Sequence, residues 1–327
     1  MKITVVGAGA MGGSFGGLLA LAGHEVRLID TDEAHVSAIN REGLLVDGVL
    51  GTHRIKVQAA TELEDGEVAD VAIMFCDTNN TKTASKTVAK LIGNHGFAIT
   101  FQNGIGNVEA LTAEAGRART LGGSSMCSAA NLGPGHVSLT HMGKTSLGEL
   151  DGASSKRAKA LADALAEAGF AAEVSDKIIG QIWQKFLVNC AVNAISATTG
   201  LRSGEIPRVP ELAQFQAQVI NEVLKVIEIK GIKLPNPNVV DDLKQHLPNR
   251  FNRPSMLQHV DAGRPTEIDA INGALNREAK VLGIATPYNE SLIALLKGRE
   301  RAQIRSVHDP NFDYEAWEAR IAAGEEK

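Results

Sequence analysis

Short apolar runs alternate with stretches of helical spacing through the first 175 residues, and beyond residue 176 the elements all read as helical. Residues 2–6 (KITVV) are apolar and end directly on a glycine, residues 14–21 have helical character, and residues 24–30 (HEVRLID) predict a second strand. Residues 44–59 alternate around Asp47-Gly48 and read as a hairpin-like excursion. Strands are predicted over 69–75 and 97–101, with a helix over 80–92 between them. Strands that alternate with helices predict a parallel, doubly wound sheet, whose ligands bind beyond the carboxyl ends of the strands. From 121 to 150 the pattern changes. Two strand-like runs flank Gly133-Pro134-Gly135 and KTSLGELDG adds a short strand, so antiparallel pairing at the far edge of the sheet is expected. A helix over 155–168 and a strand over 171–174 lead into an all-helical half, with helices over 210–230, 239–247, 267–282 and 289–301. The expected division is 1–175, 176–307 and a tail, 308–327. The tail is polar apart from Phe312, Tyr314, Trp317 and Ile321, which predicts a docked short helix fraying over 324–327.

The stretch 176–200 is apolar nearly all the way round when read as a helix, and such a helix is normally buried. Yet Lys185, Asn189 and Asn193 recur at intervals of four. At about 100° per residue they stay within an arc of roughly 80°, and Ser196 falls back on the same face. An unpaired buried amine is expensive, so the stripe is either internally satisfied or lines a wet cavity that holds a polar ligand. A paired or snorkelling core lysine is the structural alternative.

Gly7-Ala8-Gly9-Ala10-Met11-Gly12 stands between strand and helix, with Asp30 about 20 positions on, the full context of a dinucleotide-binding loop. Gly7 permits the tight turn, Gly9 lets the backbone approach a pyrophosphate, and Gly12 lets the helix pack on the sheet. Amides at the helix N-terminus, with Ala8, Ala10 and Met11 around them, receive the phosphates. Asp30 is placed to accept from ribose hydroxyls and to repel a 2′-phosphate. Thr31-Asp32-Glu33 offers no cation to neutralise one, which favours NAD over NADP. Asp30 as a plain helix cap is the alternative. Cys76-Asp77 and Gln102-Asn103-Gly104 end strands and are candidates to line the cofactor, although Asn103 also suits a turn. In the helical half, Thr266 or a neighbour is expected to cap a helix with Glu267 in its first turn, where the dipole favours a carboxylate. His136 and His141 have neither zinc spacing nor a carboxylate nearby, and no metal site is expected.

Composition narrows the partners. The 327 residues are 44% hydrophobic and 22% charged, with a formal net charge of −5 and only 4% aromatics. That disfavours nucleic acid and anionic membrane surfaces. No apolar run approaches a membrane span, and the first residues lack a secretory pattern. Three cysteines in apolar surroundings read as reduced thiols, so a cytoplasmic protein is expected. A homodimer is expected as well.

GAGAMGG at 7–13, QNGIGN at 102–107, GPGHV at 133–137 and LGELDG at 147–152 resemble the ketopantoate reductase (2-dehydropantoate 2-reductase) family. So do IWQKFLVNCAVNAISATTG at 182–200, PSMLQHVDAGRPTEIDAING at 254–273 and TPYNESL at 286–292. The resemblance runs in order over about the first 300 residues. It implies an α/β fold, with an N-terminal Rossmann domain and an all-α C-terminal domain of 6-phosphogluconate-dehydrogenase type, and an active site in the cleft between them. Lys185 then matches the catalytic lysine and Glu267 the active-site glutamate. Asn189, Asn193 and Ser255 match substrate-binding positions, and Gly7, Gly9 and Gly12 match the phosphate loop. Asn103 matches an asparagine near cofactor and active site. Three departures stand out: Asp30-Thr31 where NADP users carry an arginine, Asp77 where a lysine is common, and His259 where the family has aspartate. The first two reinforce NAD; the third bears on the substrate. The activity implied is hydride transfer between NAD(H) and a 2-oxo acid, ketopantoate or a bulkier branched or aromatic one. Lys185 serves as proton donor, its pKa expected to be lowered by apolar packing. A dehydrogenase of another acid, such as a β-hydroxy acid, and a non-catalytic dinucleotide sensor are the rivals.

Overall fold

A computed structural model describes residues 1–325. The elements of the first half are β1 (Lys2–Val6), α1 (Ala10–Leu21), β2 (Glu25–Ile29), α2 (Glu33–Glu42), β3 (Leu44–Gly48), β4 (His53–Ile55), β5 (Gln58–Ala60), β6 (Val71–Met74), α3 (Thr81–Leu91), β7 (Phe97–Thr100) and α4 (Asn107–Ala115). They continue with β8 (Thr120–Ser125), β9 (Ser128–Gly133), β10 (His136–His141), β11 (Thr145–Glu149), α5 (Lys156–Glu167) and β12 (Ala172–Val174). The helical half comprises α6 (Ile178–Thr199), α7 (Pro210–Ile229), α8 (Val239–His246), α9 (Ser255–Asp261), α10 (Asn272–Val281), α11 (Pro287–His308) and α12 (Tyr314–Ala322). Internal packing defines two compact units, Met1–Phe186 with Lys230–Pro237, and Leu187–Ile229 with the residues from Asn238 on.

In the first unit eight strands run in the order β12-β11-β8-β7-β6-β1-β2-β5, parallel from β8 to β5. The chain therefore reverses direction of build-up at β1/β6, the switch point where a doubly wound sheet opens a crevice. Side chains of the central strands alternate between faces. Ile3, Val5, Val71 and Ile73 join one core cluster with Phe15, Leu18 and Leu19 of α1 and Leu161 and Leu165 of α5. Val6, Ala72 and Met74 join the other, with Val88 and Leu91 of α3 and Leu111 of α4.

Two strand expectations are corrected. The runs flanking Gly133-Pro134-Gly135 do pair antiparallel as β9 and β10, but not on the main sheet. They form a second sheet, β4-β3-β10-β9, because β10 pairs in parallel with β3 (Val137 opposite Val46). Val137 and Leu139 are thereby buried in the core cluster that contains Phe15 of α1. Among the described residues, the one antiparallel pairing in the main sheet is that of β11 with β8. The hairpin in 44–59 turns after Gly48 rather than on Asp47-Gly48, since Asp47 is still paired with Ser138 and the Gly51 N–H closes on the Gly48 carbonyl at 3.0 Å. His136 also differs from expectation: its Nε2 lies 2.7 Å from the Asp47 carboxylate, a partner brought by the β3–β10 pairing.

The second unit is helical, with α11 packed on α7, α9 and α10. A buried polar network ties it together. The Glu222 carboxylate accepts the Tyr288 and Asn289 backbone N–H groups at 2.9 and 3.0 Å, which caps the first turn of α11 from α7. The Asn272 amide donates to Asn289 Oδ1 (2.8 Å) and to the Cys190 carbonyl (3.3 Å). In the tail, Phe312, Tyr314 and Trp317 surround the Arg305 guanidinium at 4.8, 5.3 and 5.2 Å from their ring centres. Of the expected fraying segment 324–327, residues 326 and 327 lie outside the described residues. No helix among the described residues is long and apolar enough to cross a membrane.

Candidate active site

The β1–α1 loop is shaped by glycine where a side chain has no room. Gly7 has φ +92°, in the left-handed region, and a Cβ there would run into the Cys76 backbone across the switch point. A Cβ on Gly12 would overlap the Gly7 carbonyl oxygen. Gly9 is different: it has φ −60° and nothing within 4 Å of where its Cβ would stand. The loop thus leaves open backbone at the helix N-terminus, which fits a pyrophosphate. Asp30, just past β2, accepts the Ala8 N–H at 2.7 Å with one oxygen and the Asp32 N–H at 3.0 Å with the other. It does not cap α2; Asp32 does, accepting the His35 N–H at 3.0 Å.

At the tip of β6, burial and then the Asp77 charge push the Cys76 thiol up to about 12. Gln102, past the end of β7 and among the strand-tip candidates to line the cofactor, is a hydrogen-bonding hub. Its amide donates to the Cys76 carbonyl (2.8 Å) and to Thr81 Oγ1 (2.9 Å), and Thr81 donates to Asn107 Oδ1 (2.8 Å). Asn107 Nδ2 then holds the Asn103 carbonyl at 2.7 Å. The two strand tips are therefore bonded to each other and to the starts of α3 and α4. A small cavity opens beside them, lined by Thr100, Gln102, Ile105, Gly123, Ile182 and Trp183.

Lys185 reaches this edge. Its Nζ donates to the carbonyl of Ser125, the last residue of β8, at 2.6 Å. Ser125 is itself fixed, its hydroxyl 2.9 Å from Thr145 Oγ1 on β11. In the first unit, then, the glycine loop, Asp30, Asn103 and the Lys185 amine stand at the carboxyl ends of β1, β2, β7 and β8, or in the loops just beyond, with β6 lying between β1 and β7.

The other predicted residues belong to the second unit. The helix α6 is continuous, so Asn189 and Asn193 follow Lys185 along one face; Asn193 is buried and Asn189 half-buried. Ser196 leaves the stripe, because its hydroxyl donates to the Leu201 carbonyl and finishes the helix. Ser255 is half-buried as the first residue of α9. Glu267 is buried, but it is not in the first turn of a helix as expected. Its carbonyl accepts the Ala270 and Ile271 N–H groups, both at 3.0 Å, in a separate turn. At Ile271 the backbone (φ −105°, ψ −95°) breaks from helix, so α10 starts only at Asn272. Thr266 serves that turn, accepting the Ile268 N–H at 3.3 Å while its own N–H goes to the Glu300 carboxylate. Asn272, at the end of the turn, binds the Cys190 carbonyl, which docks the Glu267 segment onto α6 one residue from Asn189. Asn272, Asn289 and Glu222 bond to one another's segments and so serve the fold; Asn272 and Asn289 lie in the motifs at 254–273 and 286–292, and Glu222 lies in none of them.

Comparison with known proteins identifies the family. The family profile described as "Ketopantoate reductase PanE/ApbA" matches residues 3–152, and its C-terminal counterpart matches 177–300. The 2-dehydropantoate 2-reductase of Pyrococcus abyssi is 34% identical over 300 residues, covering 92% of this chain and 98% of the relative. That of Lactococcus lactis is 31% identical over 310 residues, covering 92% and 98%. Among solved structures, a D-mandelate dehydrogenase with NADH and anilino(oxo)acetate superposes with a TM-score of 0.84 at 31% identity, covering 93% of this chain and 99% of that one. A PanE/ApbA-family ketopantoate reductase from Ralstonia eutropha gives 0.85 at 30% identity, covering 93% and 99%. With both halves matched by the family profile, the chain belongs to the ketopantoate reductase family of NAD(P)-linked oxidoreductases.

Proposed function

We propose that this chain interconverts a 2-oxo acid and its 2-hydroxy acid, with NAD(H) supplying or taking up the hydride and Lys185 moving the proton. The observation that carries the reading is the 2.6 Å bond from Lys185 Nζ to the Ser125 carbonyl. It fixes the amine at the carboxyl edge of the sheet whose first strand ends in the glycine loop. As the substrate carbonyl is reduced, negative charge grows on its oxygen, and the Lys185 ammonium donates a proton there; in the oxidation direction the amine takes it back. Asn189, Asn193 and Ser255 bind the substrate carboxylate or hydroxyl, and Glu267 orients the hydroxyl or the lysine. Gly7 to Gly12 hold the pyrophosphate and Asn103 lies along the nicotinamide side.

NAD preference is supported by charge. Asp30 stands at the ribose end of β2, and Asp77 follows Cys76 on the neighbouring tip. Arg27, the cation on that strand, is committed to Glu64 (2.6 Å) and Glu67 (3.4 Å), so it does not neutralise a 2′-phosphate. His259, where the family carries aspartate, and the likeness to a D-mandelate dehydrogenase support a substrate with a bulky branched or aromatic group. A cytosolic homodimer completes the proposal; free thiols at Cys76, Cys127 and Cys190 suit that compartment.

The test is a set of initial rates with NADH and with NADPH across 2-oxo acids from ketopantoate to phenylglyoxylate. Turnover of at least one acid, with NADH preferred tenfold or more, is expected. A preference for NADPH contradicts the charge argument, and no turnover of any 2-oxo acid contradicts the reaction.

A further inference from the structure

We infer that His35 is a positioning residue for the dinucleotide loop, orienting the Ala8–Gly9 peptide so that the Gly9 N–H faces the cofactor phosphates. His35 lies in the first turn of α2 and is 1% exposed. Both ring nitrogens are engaged within the first unit. Nδ1 is 3.0 Å from the Gly135 backbone nitrogen, and Nε2 is 3.0 Å from the Ala8 carbonyl oxygen. A backbone N–H only donates, so Nδ1 is the acceptor and Nε2 carries the proton that goes to Ala8. The Gly133-Pro134-Gly135 turn of the second sheet thus selects the tautomer that the cofactor loop requires.

What this does to the loop follows from peptide geometry. Every peptide bond described is trans, and in a planar trans peptide the C=O and the next N–H point in opposite directions. Drawing the Ala8 oxygen toward His35 therefore turns the Gly9 N–H the other way. The Ala8 N–H is held separately by Asp30 at 2.7 Å. Between them, a carboxylate after β2 and an imidazole on α2 fix the peptides on both sides of Ala8. Without the imidazole, the glycine at position 9 makes rotation of the 8–9 peptide easy, and a carbonyl oxygen turned outward opposes a pyrophosphate.

Two substitutions separate this role from simple packing, because asparagine places its amide near the position of Nδ1 and glutamine near that of Nε2. His35→Gln keeps the bond to Ala8 and gives up Gly135; His35→Asn does the reverse; His35→Ala loses both. Dissociation constants for NADH and NADPH are read by fluorescence titration without substrate, and each variant's Tm is measured alongside. All three variants are expected to lose Tm. The better-bound dinucleotide is expected to keep its Kd within about threefold in His35→Gln and to weaken about tenfold in His35→Asn and His35→Ala. Equal weakening in the Gln and Asn variants, or an unchanged Kd in the Ala variant, overturns the proposal and leaves His35 a packing residue. The inference rests on the dinucleotide reading of the loop and not on Lys185. A native chain that binds neither dinucleotide overturns that reading and the inference together, whereas dinucleotide binding without turnover overturns only the reaction.

Discussion

Replacing Gly9 and Gly12 one at a time by alanine separates what the loop does for the fold from what it does for the cofactor. At Gly9 the backbone (φ −60°) accepts an L-residue and nothing lies within 4 Å of the new methyl. The folded chain meets no clash, and the stiffer unfolded chain adds roughly 0.4–1 kcal/mol of stability. With the dinucleotide bound as proposed, the methyl instead occupies the approach to the pyrophosphate. Losing one amide-to-phosphate hydrogen bond, about 1.5–3 kcal/mol for a charged acceptor, weakens NADH binding roughly ten- to a hundredfold. Gly12→Ala acts in the opposite place. Its Cβ overlaps the Gly7 carbonyl and comes within 3.1 Å of Phe75 Cβ, so backbone has to move. Overpacking of this kind costs about 1–3 kcal/mol, and at roughly 2–4 °C per kcal/mol Tm falls by several degrees. NADH titration and a thermal scan on both variants are sufficient. Gly9→Ala binding NADH as the native chain does, or Gly12→Ala melting at the native temperature, refutes the reasoning.

Two further outcomes follow from the titratable groups. Burial and the Asp77 charge raise the Cys76 thiol to about 12, and burial raises Cys190 as well. At pH 8 the Cys76 thiolate is a fraction of about 10⁻⁴, so a thiol reagent should label at most one of the three cysteines in the native chain and all three once it is unfolded; rapid labelling of Cys76 in the native chain contradicts this. The Glu149 carboxyl is raised by burial, but hydrogen bonds from Arg157 (2.7 and 2.6 Å) and Ser155 outweigh that and leave it lowered. A lowered carboxyl contributes stability above the unfolded value near about 4.3, and that stability is lost as pH falls through the folded value. Glu149→Gln should therefore flatten the decline of Tm below about pH 5, and parallel acid limbs for the two proteins contradict the assignment.

The loop, the parallel order of strands and the polar stripe on α6 were legible because each is a local pattern. Gly7, Gly9 and Gly12 sit between an apolar strand and a helix, and Lys185, Asn189 and Asn193 keep helical spacing without any partner being known. What was not legible depends on distant pairing. The second sheet arises from a parallel match between β3 and β10, some ninety residues apart, and that same match gives His136 its carboxylate. In sequence His35 is a lone histidine at a helix start; its ring contacts depend on the fold, with Gly135, one hundred positions on, donating to Nδ1. The Glu267 segment looked like a helix start because its residues have helical spacing, yet the backbone at Ile271 ends one turn before α10 begins. Ser196 shared the stripe by angle, and its hydroxyl is spent on the helix end.

In the proposed reaction the Lys185 amine, held on the Ser125 carbonyl, moves the proton of a carbonyl reduction. Lys185→Ala, assayed with NADH and the best 2-oxo acid of the panel, tests it most directly when NADH binding is titrated on the same preparation. Turnover reduced by about two to four orders of magnitude with the Kd for NADH near native is the predicted result. Native turnover in that variant would contradict the account.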